Sequence, residues 1–246
     1  MTLAGRHILV TGAARGLGAE IAATLAGQDA RVILSDILED EGRATAKRLG
    51  AAFVHADLGE PDSITALAEA VAERTGGLLH GLVNNGAIAT GIGGVPFEEV
   101  DIETWDTVQR VNVRGTWLMI RACAPMLRAS GSGRVVNVAS DTALWGAPRL
   151  LSYVTSKGAV ISMTRALARE LGPDRVGVAA VAPGILTTES TDYVPEARHR
   201  QYAEGRAVPG PQGPEEITET VAFLCTEGAL TLTGQVLPVN NGFVFT

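Results

Sequence analysis

Cysteine is nearly missing from this chain of 246 residues: Cys123 and Cys225 are its only two, far apart and without a CxxC. That excludes a disulfide scaffold and a cysteine-rich zinc site, and it fits a reducing, cytoplasmic setting. Histidine is scarce, and His7, His55, His80 and His199 never fall at metal-ligand spacing, so no metal is expected. Nowhere do the roughly 18 uninterrupted apolar residues of a membrane span occur. The start, MTLAGRHILVTG, has no long apolar stretch before its first expected strand and is not expected to act as a signal peptide. Basic runs are absent and the net charge is −7, which argues against nucleic acid and anionic membrane as partners. Charged residues reach only 19% against 46% hydrophobic, so disorder is excluded and a large core can form. This length suits one α/β domain, residues 1–246.

What the chain has in quantity is glycine, 29 residues, which requires tight turns or close backbone approach in several places. Short β-branched runs alternate with longer amphipathic segments, the pattern of a seven-stranded, doubly wound parallel sheet with helices on both faces. Strands are expected at His7–Thr11, Arg31–Asp36, Phe53–Asp57, Gly81–Asn84, Arg134–Ala139, Val176–Ala182 and Gln235–Val239. Helices are expected at 17–27, 39–49, 62–74, 103–129, 153–171 and 215–225. His7-Ile-Leu-Val and Arg134-Val-Val-Asn-Val are almost unbroken apolar runs, as strands buried on both faces are. One polar, proline-rich excursion at 189–214 breaks the rhythm, and a connection this long reads as a lid or substrate-binding loop.

Strand 1 runs into Thr11-Gly12-Ala13-Ala14-Arg15-Gly16-Leu17-Gly18 and then a helix. Glycines there let backbone N–H groups meet a pyrophosphate at the helix N-terminus. The second strand ends in Asp36, 18 residues after Gly18, where an acidic residue meets an adenosine ribose. Its carboxylate accepts from a 2′-hydroxyl and repels a 2′-phosphate, favouring NAD over NADP. Arg15, a base able to meet that phosphate, pulls the other way.

Together these residues and those that follow resemble the short-chain dehydrogenase/reductase family over essentially the whole chain. The glycine segment has the family's TGxxxGxG form. Asp57-Leu58 resembles the pair flanking the adenine, and Asn84-Asn85-Gly86-Ala87 resembles the NNAG turn with its last two residues exchanged. Asn112 matches the active-site helix Asn, and Tyr153-Val-Thr-Ser-Lys157 is the YxxxK, 13 residues beyond Ser140. Pro183-Gly184-Ile185-Leu186-Thr187-Thr188 resembles the segment that clamps the nicotinamide amide. The resemblance implies a Rossmann-type fold, a nicotinamide cofactor, and catalysis by Asn112, Ser140, Tyr153 and Lys157. It also implies a homotetramer.

Tyr153 and Lys157 stand one helical turn apart on one face. A free tyrosine, with a pKa near 10, is a poor base at neutral pH, and the ammonium and an oxidised nicotinamide are expected to favour the phenolate. Ser140 is expected to orient the substrate oxygen, Lys157 to hold the nicotinamide ribose, and Asn112 to retain a water linking Lys157 to solvent. Ile88, Leu144, Trp145 and Tyr193 are expected to line an apolar pocket, hence a secondary alcohol or ketone, ring-bearing in the narrower reading. His199 is expected to be solvated, with Arg198, Arg200 and Arg206 on the polar face of a short helix. Two alternatives stand beside this one. In an NADPH-dependent 3-oxoacyl-[acyl-carrier-protein] reductase, basic residues are expected where this chain has Gly131 and Asp174. A non-catalytic dinucleotide-binding sensor or scaffold is disfavoured by the intact Tyr153 and Lys157. Finally, Trp117–Ile120, Val160, Ile161 and Met163 place apolar residues on more than one helix face, which suggests burial against a symmetry mate. The terminal Asn240-Asn241 departs from the family's Asp-Gly, and the tail Phe243-Val244-Phe245 is expected to dock on a neighbour.

Overall fold

The structure is a computed structural model that describes residues 3–246, the side chain of Ser190 excepted. Seven strands form one all-parallel sheet: β1 His7–Thr11, β2 Arg31–Asp36, β3 Ala52–His55, β4 Gly81–Asn84, β5 Arg134–Val138, β6 Gly177–Pro183 and β7 Val236–Val239. Their order is β3-β2-β1-β4-β5-β6-β7. Chain order therefore reverses between β1 and β4, which opens a crevice at the carboxyl ends of the strands.

Alternate residues of each strand feed two separate cores. Ile8 and Val10 of β1 join Ile21 and Leu25 of α1 (Gly16–Gly27), Ala46 of α2 (Glu39–Leu49), and Ile217 and Val221. Leu9 points the other way, to Leu67 and Val71 of α3 (Pro61–Thr75) and to Met119 and Cys123. Both faces are covered, so every residue of β5 and β6 is buried. Burying one such Leu or Val contributes about 1.5–3 kcal/mol, which is why these strands read as unbroken apolar runs.

Where one helix was expected at 103–129, the chain forms α4 (Ile102–Gln109), a six-residue π-helical turn (Arg110–Gly115) and α5 (Thr116–Ala129). A short α6 (Thr142–Trp145) follows β5, and α7 spans Leu151–Leu171. The excursion contains α8 (Glu196–Gly205), and α9 spans Glu215–Leu224. Arg198 and Arg200 lie on α8 as expected, but Arg206 just beyond it is buried. Its guanidinium donates to the carbonyls of Ile185 (2.7 Å) and Gly210 (2.6 Å), pinning the excursion to the end of β6. Among the described residues no helix is long and apolar enough to cross a membrane.

The apolar excess on α5 and α7 is smaller than its sequence suggests. Met119, Ile120, Val160 and Ile161 are consumed by the chain's own core, while Trp117 remains 44% exposed. Phe243 likewise stacks internally on Tyr202 at 4.1 Å, leaving Phe245 as the exposed aromatic of the tail.

Candidate active site

A cleft of about 700 Å³ opens over the carboxyl ends of the strands. At one end lies the turn from β1 into α1. Gly12 has φ +63°, and a Cβ there would come within 2.5 Å of Gly86 Cα. One on Gly18 would come within 2.0 Å of the Gly12 carbonyl oxygen. These two positions admit only glycine, because the β1–α1 turn and the turn after β4 lie backbone against backbone. Asn85 seals the contact, its Nδ2 donating to the carbonyls of Thr11 (3.1 Å) and Gly12 (2.9 Å). The Thr11 hydroxyl accepts from the N–H groups of Asn85 and Gly86. A Cβ on Gly86 would meet Leu58 Cδ1 at 2.7 Å, so the exchanged Gly86-Ala87 order puts glycine where the loops touch.

The Arg15 side chain provides no cap for α1, so the helix's positive end faces the cleft without a side-chain acceptor at its N-cap. The residues present fit a dinucleotide: a glycine cradle without room for side chains at Gly12 and Gly18, an uncapped helix N-terminus, and Asp36 in the wall. Asp36 also has structural duties, Oδ2 accepting from Ala14 N (2.9 Å) and Oδ1 from Leu38 N (3.0 Å). A carboxylate has about four lone-pair sites, so acceptor capacity remains. Arg15 faces Glu189 across the cleft at 3.7 Å, both well exposed. Gly16, Leu17, Asp57, Leu58, Pro183, Gly184, Leu186 and Thr188 also line the cleft. Asp57 Oδ1 shapes its own turn by accepting from Gly59 N at 2.7 Å.

At the cleft floor Ser140, Tyr153 and Lys157 come together from the end of β5 and the start of α7. Ser140 Oγ accepts from Thr142 Oγ1 at 2.9 Å, and its hydroxyl is near enough to Tyr153 to favour the phenolate. Lys157 Nζ lies 5.6 Å from the Tyr153 ring centroid and donates to the Val138 carbonyl at 2.7 Å. Sequence reasoning expected Lys157 to draw the phenol toward ionisation, yet in the protein's own field burial prevails. It pushes Tyr153 up to about 12, against the Ser140 hydroxyl, and pulls Lys157 down to about 8. Both charged forms lose water in the same dry floor.

Asn112 stands in the π-turn, a distortion that commonly marks functional sites. Its amide brackets Ile88, accepting from Ile88 N at 2.8 Å and donating to Ile88 O at 3.0 Å. Nδ2 also donates to Ser156 Oγ at 3.1 Å, so both amide hydrogens have protein partners.

Ile88 and Tyr193 line the cleft, and the Tyr193 hydroxyl donates to Ala89 O at 2.6 Å, joining the excursion to the loop after β4. Leu144 and Trp145 do not line it. Leu144 packs against Ala139, Val160, Ile161, Ala180 and Ala182. Trp145 turns away because its N–H donates to the Tyr202 hydroxyl (3.0 Å) and its ring edge meets Phe243. Leu150, Ile185, Val194, Arg198 and Tyr202 stand in the wall instead. His199 Nε2 contacts Thr191 O at 3.1 Å, a structural bond away from the floor.

Sequence reasoning missed Asp141 altogether. It is fully buried beside Ser140, Oδ1 accepting from Tyr202 OH (2.7 Å) and Oδ2 from Asn240 Nδ2 (3.1 Å). Burial raises it to about 6 despite those bonds and the Arg206 charge. The available signal was the Asn240 departure: an aspartate there would set a second carboxylate against Asp141.

A family model described as enoyl-(acyl carrier protein) reductase matches residues 12–244. The chain is 35% identical to the 3-alpha-(or 20-beta)-hydroxysteroid dehydrogenase of Mycobacterium tuberculosis, covering 98% of this chain and 90% of the relative. The chain belongs to the short-chain dehydrogenase/reductase family. Within that family it is also 33% identical to the trans-4-hydroxycyclohexanecarboxylate dehydrogenase of Sinomonas cyclohexanicum, over 98% of this chain and 93% of the relative. The 3-ketoacyl-(acyl-carrier-protein) reductase of Brucella melitensis complexed with NADH superposes with a TM-score of 0.91 at 32% identity. That likeness covers 99% of this chain and 100% of that one. As a short-chain dehydrogenase/reductase, the protein is an oxidoreductase that acts on CH–OH groups through a nicotinamide dinucleotide.

Proposed function

We propose that the protein is an NAD-dependent dehydrogenase of ring-bearing secondary alcohols, with Tyr153 as the proton acceptor in oxidation and the donor in ketone reduction. The carrying observation is the meeting of Ser140, Tyr153 and Lys157 in a cleft whose remaining wall is largely apolar: Ile88, Leu150, Ile185 and Val194. The dinucleotide supplies the hydride acceptor and, when oxidised, a positive charge. Gly12, Gly16, Gly18 and the α1 N-terminus would hold its pyrophosphate, and Asp36 its ribose. Lys157, buried and with ammonium donors left beyond its bond to Val138 O, would hold a ribose hydroxyl.

Ser140 orients the substrate hydroxyl toward the phenol and is itself fixed by the Thr142 hydroxyl. Tyr153 takes the hydroxyl proton, while Lys157 keeps a positive charge near the phenol's ring. Asn112 fixes Ile88 and with it the pocket wall. Two relatives whose names carry ring alcohols, a hydroxysteroid and a hydroxycyclohexanecarboxylate, support the substrate class.

The acyl-carrier-protein reductase reading is favoured by the Brucella neighbour. It is disfavoured by Asp36 and by Asp174, whose carboxylate neutralises Arg128 at 2.5 Å. NADH formation from cyclic secondary alcohols tests the proposal against reduction of a 3-oxoacyl thioester with NADPH. Faster turnover of short linear alcohols or of the thioester overturns it. We also propose a homotetramer, supported by the exposed Trp117 and Phe245. Light scattering is expected to give four chain masses, and a monomer refutes it.

A further inference from the structure

Among the charged side chains of the cleft wall, Glu189 is matched by Arg15, and the Lys157 ammonium gives one of its donors to Val138 O. Of the two lining arginines without an ion pair among the described residues, Arg110 lies beside Gly59, and the other is Arg198. It stands in the cleft wall on α8, and among the described residues no carboxylate lies within ion-pair distance of it. Among the described residues its guanidinium makes one hydrogen bond, a long one, Nη2 to Pro148 O at 3.5 Å. Most donors of the guanidinium fork are therefore without a protein acceptor.

Its placement is built rather than incidental. The guanidinium lies over the Trp145 ring at 5.3 Å, and that ring is clamped in turn by its own N–H to Tyr202. Tyr202, one helical turn along α8 from Arg198, is fully buried and donates to Asp141. Asp141 is the residue after Ser140, and Asn240 holds its second oxygen. A continuous chain of contacts thus runs from the reacting serine through Asp141, Tyr202 and Trp145 to the unpaired guanidinium. Such a group is pre-organised at a fixed offset from the reacting carbon, the condition under which an arginine discriminates among substrates.

We propose that Arg198 is a specificity determinant that binds a carboxylate carried by the substrate at a position remote from the reacting hydroxyl. This rests on the reading of the protein as a dehydrogenase of ring-bearing secondary alcohols. A carboxylate fits better than a phosphate, because one unmatched cation balances one negative charge. The fork also donates to both carboxylate oxygens at once.

The test compares 4-hydroxycyclohexanecarboxylate with its methyl ester, which keeps the ring and the reacting hydroxyl but loses the charge. Wild type is expected to favour the acid in kcat/KM by about ten- to hundredfold, the range of a charge-assisted hydrogen bond. Added salt should shrink that ratio, because a half-exposed pair is screened. Arg198→Leu is expected to remove most of the preference, and Arg198→Lys, which keeps charge but not the fork, to retain part. The proposal is overturned if wild type uses the ester as well as the acid, or if Arg198→Leu leaves the ratio unchanged. Turnover of the ester with no gain for the acid sinks only the carboxylate assignment. Turnover of neither, nor of any cyclic secondary alcohol, removes the underlying reading and this proposal with it.

Discussion

Tyr153→Phe is expected to lower kcat/KM for alcohol oxidation by about 10²- to 10⁴-fold, the span that one positioned acid–base group contributes. Few residues allow so clean a test. The substitution removes one hydroxyl whose neighbour, Ser140, keeps the Thr142 bond at 2.9 Å, so the floor should hold its shape. The melting temperature and the dissociation constant for NADH are expected to stay close to wild type. A variant that has also lost cofactor binding would instead show that the phenol holds the site together. The pH profile carries the sign of the argument. In the protein's own field burial holds the phenol up at about 12, so at neutral pH it carries its proton. Oxidation needs the deprotonated form, so log kcat/KM for the alcohol should rise with pH, with a slope of about one, until the controlling ionisation is passed. Ketone reduction needs the protonated form and should not rise over the same interval. The nearby Lys157 is pulled down to about 8 by its own burial. Tyr153→Phe is expected to abolish the rise, and an unchanged slope would assign the proton to another group.

Much of this site was legible because its parts are local in sequence. Strands buried on both faces are short apolar runs closed by polar or turn residues, and β1, β2 and β4 fall where those runs do. β3 was read too long because Asp57 belongs to a turn, its carboxylate accepting from Gly59 N. The glycine cradle, Asp36, Ser140, Tyr153 and Lys157 each sit at a strand end or in the first turns of a helix, so order and spacing alone located them. What failed to show has a different physical origin. A π-turn leaves the apolar period of α4 and α5 almost unchanged, so one helix was read where two meet. α8 was expected only as a short helix without bounds because, of its ten residues, only Tyr202 is buried, too little for a hydrophobic stripe to appear. The Asp141 cluster joins residues 61 and 99 positions apart, and nothing in a linear reading pairs them. Trp145 was misplaced for the same reason: its indole N–H found a hydroxyl on α8, which rotated the ring out of the cleft.

Cofactor choice turns on Asp36, and the expected effect is again large. A carboxylate and a 2′-phosphate charge about 4 Å apart repel by about 4 kcal/mol at an effective dielectric near 20. Asp36 is partly exposed, so salt screening should cut this to a preference for NAD+ of about 10²-fold in kcat/KM. Asp36→Asn removes the charge and leaves one oxygen to accept from Ala14 N or Leu38 N, so the β1–α1 turn should largely hold. We expect the variant to gain on NADP+ by about tenfold or more while losing only a few-fold on NAD+. Arg15 decides how far the gain goes. It is now matched by Glu189 at 3.7 Å, an exposed pair worth under about 1 kcal/mol. A 2′-phosphate, with its greater charge, should draw the guanidinium away from that partner. Adding Glu189→Gln to Asp36→Asn is therefore expected to raise NADP+ use further, and adding Arg15→Ala to reverse it. If wild type already prefers NADP+, the carboxylate is not meeting the ribose. Its bonds to Ala14 and Leu38 would then be its whole role, that of a brace between β2 and the glycine turn.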